Sequence, residues 1–347
     1  MKQLKAIVAI VAGLFAFTSV QAGELSVTGS MQATYQSNTD VTTGNPIGMN
    51  TDLTFSGATD TDFGTATWTL ATDGTFLGDS GADHTLKIAT DFGTIGVGNS
   101  GDAANAVDDI TPTAFEEANG SGSGSYSAAD FGSGMDGSMS LSYGNGDLFG
   151  TGISVAYNYY PKLDATTTNE KGATADTNAN TNSAESINVG LPVAALPVIG
   201  DTPLGGMKIT LGYNKSDSRL TNGVNKEGGT AAVTLPVGPF SIGFQKKAYQ
   251  NLDTGTSTAE ATKAFYKDDI IGIAYAINDD LAISYNRIES AKHLHTTGEV
   301  EQETSAVNLA YTVGGLTLAF QDARTDNSGW STGTNDDTRT ISVKTAF

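Results

Sequence analysis

There is no cysteine among the 347 residues. Disulfides, thiolate metal centres and a cysteine nucleophile are thereby excluded. Lysine and arginine are scarce, 18 against 38 aspartates and glutamates, for a formal charge of −20. Nucleic acid is not an expected partner, because phosphate binding needs clustered basic side chains. Histidine occurs only as His84, His293 and His295. The last two would share one face of a strand, yet they lack the third ligand of a usual metal centre unless Glu289 or Glu299 helps. All three fall at loops or strand ends, so no serine has a positioned base and no catalytic residue or enzyme is expected. A long apolar run is missing too. After residue 22 the best candidate, 187–200, is cut by Pro192 and Pro197 and falls short of the ~20 residues a helical span needs.

Two fragments resemble ligand loops and fail on inspection. The glycine-rich stretch 144–152 is followed by no helix, so it offers no phosphate cradle. Asp176, Asn178 and Asn180 begin like a calcium loop, but Thr181 stands where glycine is needed and Ile187 where glutamate is needed. No cofactor is expected. At most, exposed acids such as Asp336 and Asp337 hold divalent cations loosely between loops or lipid headgroups.

The chain starts MKQLKAIVAIVAGLFAFTSVQA. Lys2 and Lys5 precede an unbroken apolar run over 6–17 and a small-x-small end at Val20-Gln21-Ala22. This reads as a secretory signal peptide, residues 1–22, cleaved before Gly23. Without those two lysines, residues 23–347 carry 16 basic and 38 acidic side chains, a charge of −22. The mature protein is therefore expected to be exported.

From Gly23 onward the apolar residues recur with period two, the mark of strands with one apolar face. Leu25, Val27, Met31, Ala33 and Tyr35 share one face, and Ser26, Thr28, Ser30, Gln32 and Thr34 the other. The scheme returns in Ile153–Val155–Tyr157–Tyr159, in Ile209–Leu211–Tyr213, in Leu281–Ile283–Tyr285 and in Val307–Leu309–Tyr311. The 42 glycines, with abundant Thr, Ser, Asn and Asp, favour strands and turns over helices. A mean hydropathy of −0.17 does not argue against a membrane, because barrel strands show lipid only every second residue.

Connections alternate in length. Short ones fall near 58–62, 91–93, 145–150, 236–239, 278–280 and 314–315. Long polar ones fall near 37–48, 74–82, 101–135, 161–184, 216–228, 249–267, 289–303 and 325–337. A β-sandwich has no reason to alternate in this way; a transmembrane antiparallel barrel has tight turns on one side and long loops on the other. Aromatic residues come late on upward strands (Tyr35, Tyr159, Tyr213, Phe244, Tyr285, Phe320). They also come late on downward ones (Phe55, Tyr143, Tyr275, Tyr311, Phe347), which sets two girdles at the two interfaces. The expected fold is all-β, a closed barrel of about 16 strands. That is wide enough for an aqueous channel, where eight strands would fill with side chains. Closure requires 338–347 to pair with 23–36, since an open edge in lipid leaves backbone groups unpaired.

The longest connection, about 101–135, carries Asp102, Asp108, Asp109, Glu116, Glu117 and Asp130 and no lysine or arginine. Unstructured connections of that length are usually functional or disordered. Here the expectation is a loop folded inward that narrows the pore.

In SVTGSMQATYQ (26–36), DFGTIGVGNS (91–100) and the terminal ISVKTAF (341–347), the chain resembles the general porins of Gram-negative outer membranes. The resemblance implies a homotrimer of sixteen-stranded barrels in the outer membrane, a third loop folded into each lumen, and passive diffusion of small hydrophilic solutes and ions. It implies that terminal Phe347 and its strand are read by the insertion machinery, and that loop acids face wall bases across the constriction. The acids are Asp102, Asp108, Asp109, Glu116 and Glu117. Strand parity makes Lys87, Lys208, Lys247 and Lys344 the inward bases, spread around the wall rather than clustered, and Asn99 stands where the family often has a base. A lumen lined mainly by carboxylates is expected to prefer cations. The rival readings are a substrate-specific channel, which needs an aromatic track where inward aromatics are few (Tyr160 is one), and a non-conducting structural or adhesive surface barrel.

Overall fold

The computed structural model describes residues 25–38, 44–72, 83–99, 101–118, 135, 137–163, 181–195, 204–218, 225–251, 264–294 and 298–347. The expected signal peptide lies outside them. Alternating sequence becomes strands β1 (Leu25–Asn38), β2 (Ile47–Thr61), β3 (Gly64–Thr72), β4 (Asp83–Thr90), β5 (Gly93–Gly98), β6 (Ser140–Asn145), β7 (Ser154–Tyr160) and β8 (Thr181–Pro192). There follow β9 (Lys208–Ser218), β10 (Lys226–Val237), β11 (Phe240–Asn251), β12 (Ala264–Ala276), β13 (Leu281–Leu294), β14 (Gly298–Val313), β15 (Leu316–Asp326) and β16 (Asp336–Ala346). Each strand pairs antiparallel with its sequence neighbours, and β1 pairs with β16, so the described residues form one closed barrel.

The two faces are opposite in character. On β14, Val307, Leu309 and Tyr311 are exposed, whereas Thr304, Ala306 and Asn308, on the alternate positions, are buried. The exposed side is apolar all round, with Val27, Met31, Leu211, Phe244, Tyr285, Phe320 and Ile341; the inner side is mostly hydroxyls, amides and small residues. A water-soluble protein buries such rows, whereas a barrel in lipid turns them outward. Tyr143 marks the rim near the short turns, where its hydroxyl donates to the Phe92 carbonyl at 2.7 Å.

Several strands outrun their expected ends. The connections expected over 289–303, 249–267 and 216–228 shrink, because β13, β11 and β9 continue upward and their partners begin early. Cross-strand charge pairs stand where the apolar band ends. There the outward residues become ion pairs, Lys246–Asp269 at 2.6 Å, Arg287–Glu303 at 2.7 Å and Arg339–Asp322 at 3.0 Å. An apolar pattern stops where lipid stops, but the hydrogen-bond ladder need not.

The seam closes as alternation requires, from Ser30 opposite Ala346 to Asn38 opposite Thr338. Gly29 and Phe347 exchange both backbone hydrogen bonds at 3.0 Å. A Cβ on Gly29 would lie 2.7 Å from both the tip of the Phe347 ring and the Asp52 backbone carbonyl, so Gly29→Val must push the ring aside and press on β2 beside the seam. A lower yield of heat-resistant folded barrel on unheated gels is the expected result; an unchanged yield would show that closure does not need this contact.

Candidate functional site

After β5, Asn99 stays in the wall, where its side-chain oxygen accepts the His84 backbone N–H. The chain then leaves the wall and crosses the inner face as far as residue 118. Its hydrogen bonds trace the path. Tyr160 donates its hydroxyl to the Gly101 carbonyl at 3.1 Å, and the Ala103 N–H donates to Ser186 Oγ at 3.1 Å. A single 3-10 turn follows, Asn105–Val107. Gln245 on β11 then donates to the Val107 carbonyl at 2.9 Å and accepts from the Ile110 N–H at 3.3 Å. Asn286 on β13 donates to the Pro112 carbonyl at 3.2 Å, and Asn308 on β14 to that of Glu116 at 2.9 Å. Gln321 on β15 donates to the carbonyls of Glu116 at 3.2 Å and Glu117 at 3.1 Å. Loop carbonyls that would otherwise be buried without partners thus meet one inward amide after another along the wall.

Close approach is made possible by missing side chains. A Cβ on Gly212 would lie 2.7 Å from Val107, one on Gly243 would overlap the Pro112 ring, and one on Gly272 would lie 2.8 Å from the Pro112 carbonyl and from Thr111 Cβ. Gly243 and Gly272 are directly opposite each other across β11 and β12. The far end of the segment rests on an apolar patch inside the barrel, where Ala118 packs with Ile270, Ile288, Ala306 and Ala323.

The expected acids are sorted by this path. Asp102 is buried and accepts the Ala104 N–H at 2.8 Å, so it organises the 3-10 turn. Asp108 and Asp109 reach Lys247 at 2.9 and 3.4 Å. The Lys247 side chain is 1% exposed and that of Asp109 43%. Burial raises the Glu116 carboxyl above its ordinary range, with Lys344 pulling the other way. Glu117 is buried and accepts from the Thr111 N–H at 2.9 Å and from the Thr111 hydroxyl. Of the expected bases, only Lys247 is ion-paired to the loop. Lys87, Lys208 and Lys344 are exposed. Lys87 and Asp102 share the lining of a cavity of about 610 Å³ with Ser142, Asn158 and Asn188. Asp130 lies outside the described residues.

Sequence reading passed over the amides Asn188, Gln245, Asn286, Asn308 and Gln321 and the three inward glycines. Their signal is faint but physical: an amide or a glycine at an inward position of successive strands, flanked by apolar outward residues.

The Gram-negative porin family matches residues 6–346. Similar solved structures include OmpT of Vibrio cholerae in a trimer form, 12% identical with a TM-score of 0.66 over 94% of this chain and 100% of that one. OmpF of Salmonella typhi, in complex with daunomycin, is 14% identical with a TM-score of 0.61 over 94% and 98%. An anion-selective porin from Comamonas acidovorans is 10% identical with a TM-score of 0.64 over 94% and 100%. No curated protein matches the sequence.

Proposed function

The chain belongs to the Gram-negative porin family and forms an outer-membrane channel, and we propose that it conducts ions and small hydrophilic solutes by passive diffusion with a preference for cations. The observation that supports this reading is the acid-rich segment 101–118, hydrogen-bonded to inward side chains of β11, β14 and β15; in our reading it narrows a water-filled lumen. Selective passage needs no bond chemistry, so the protein acts without catalysis or cofactor. Residues 1–22 serve as a cleaved export signal, and the barrel works as a homotrimer, in keeping with the trimer form of its Vibrio cholerae neighbour.

The sign of the preference rests on side chains. A neighbour of the same fold is named anion-selective, so the barrel alone does not choose. Among the described residues the one buried wall base, Lys247, is taken up by Asp108 and Asp109. Lys87, Lys208 and Lys344 stand apart from one another, while Asp109 and Glu116 remain partly exposed on the segment. A net negative constriction raises the local cation concentration and repels anions. The test is the reversal potential of the purified protein in a KCl gradient across a planar bilayer. A potential on the potassium side is expected, and one on the chloride side would overturn the preference. Saturable block of the current by added sugars would favour a substrate-specific channel instead, and silence would point to a structural barrel.

A further inference from the structure

We propose that Glu117 is a proton-sensitive latch that sets how tightly the segment 101–118 is held to the wall, and hence how wide and steady the channel is; this rests on the channel reading above. The residue is 5% exposed. One carboxyl oxygen accepts two hydrogen bonds from Thr111, from the backbone N–H at 2.9 Å and from the hydroxyl, which closes residues 111–117 into an arch. Both feet of the arch are fixed to the barrel. The Thr111 hydroxyl accepts from Asn286 at 3.4 Å, and the Glu117 carbonyl accepts from Gln321 at 3.1 Å. Cutting the carboxyl's grip on Thr111 therefore loosens the arch between β13 and β15.

The second carboxyl oxygen is buried and has no hydrogen-bond partner. The next residue, Ala118, sits on the apolar patch of Ile270, Ile288, Ala306 and Ala323, so this side of the corner offers no polar partner. A neutral acid tolerates such a place far better than a carboxylate does. The charged groups around it give little relief. Asp109 of the same segment opposes a second negative charge, and Lys247 of β11 is shared with Asp108 and Asp109 and also faces Asp268 of β12. Glu116, next in the chain, faces Lys344 of β16. Burial first, and the Asp109 charge second, push Glu117 up to about 7, against the Thr111 hydrogen bonds and Lys247.

The direction of the effect follows. A released, hydrated Glu117 would titrate near its ordinary 4.5. Below that pH both forms are protonated and the latch holds. As pH rises from 4.5 to about 7, release gains by up to roughly tenfold per pH unit. Above 7 both forms are ionised and nothing further changes.

Single-channel recording from pH 5 to pH 8 tests this. Wild-type current should be quiet at pH 5 and gain brief closures and a lower mean conductance with a midpoint near 7. Glu117→Gln keeps the acceptor oxygen for Thr111 without the charge, so it should stay quiet throughout, while Glu116→Gln should keep the wild-type midpoint. The same pH dependence in Glu117→Gln and wild type overturns the latch. So does a wild-type record that is flat over this range, a result that needs no variant to fold. Absence of any current sinks the channel reading and the latch with it, whereas steady, pH-independent current sinks the latch alone.

Discussion

Lys247→Met should move the reversal potential in a KCl gradient further toward potassium and make the open current noisy. The Lys247 side chain is 1% exposed, and its ammonium lies 2.9 Å from Asp108 and 3.4 Å from Asp109. Removing one partner of a buried pair leaves the other charge uncompensated, which costs about 3–5 kcal/mol where both are fully buried. Asp109 is 43% exposed, so solvent screens part of that cost and the lower end applies. The segment can relieve the strain by turning its carboxylates toward lumen water, which means leaving the wall. Two effects then add, the loss of a positive wall charge and the gain of freed negative ones. Adding Asp108→Asn to Lys247→Met removes one of the stranded charges and leaves Asp109 and buried Asp268, so current steadiness should return in part, because deleting both members of a pair is milder than deleting one. An unchanged reversal potential in Lys247→Met would show that this pair lies away from the ion path.

Strands were legible because period two demands only that residues differ in polarity, and lipid outside with water inside supplies the difference on every strand. Val307, Leu309 and Tyr311 alternating with Ala306 and Asn308 needed no knowledge of what lies opposite. Strand ends were less legible. Arg287 reads as a residue near a strand end and Glu303 as the edge of a connection, yet they pair across β13 and β14 at 2.7 Å, past the apolar band. The inner segment was legible least of all. Asp102, Asp108, Asp109, Glu116 and Glu117 are equivalent as letters, and what separates them is contact with residues more than a hundred positions away. Lys247 claims Asp108, while Gln321 fixes the backbone that buries Glu117. An amide on one strand reads as ordinary lumen lining. Only the closed topology shows Gln245, Asn286, Asn308 and Gln321 as consecutive holds on a single segment.

The glycines opposite that segment support the prediction with the clearest steric basis. Gly243→Ala should lower single-channel conductance while leaving the barrel assembled. The added Cβ would overlap the Pro112 ring and reach within 3.4 Å of Thr111 Cα. Overpacking of this kind costs about 1–3 kcal/mol unless something moves. The wall cannot yield easily, because β11 is hydrogen-bonded to β10 on one side and β12 on the other. Pro112 cannot rotate its ring aside, since the ring is part of the backbone. The segment must therefore shift away from β11, and the only direction open to it is toward the centre of the lumen. Gly272→Ala presses on the same place, with its Cβ 2.8 Å from the Pro112 carbonyl, so the double variant should narrow the channel further. Gly144→Ala is the control, because nothing lies within 4 Å of a Cβ there, and its conductance should match the wild type. If Gly243→Ala conducts as the wild type does while folding normally, residues 111–112 do not bound the narrowest part of the channel, and the constriction would have to be sought nearer Asp109 and Lys247.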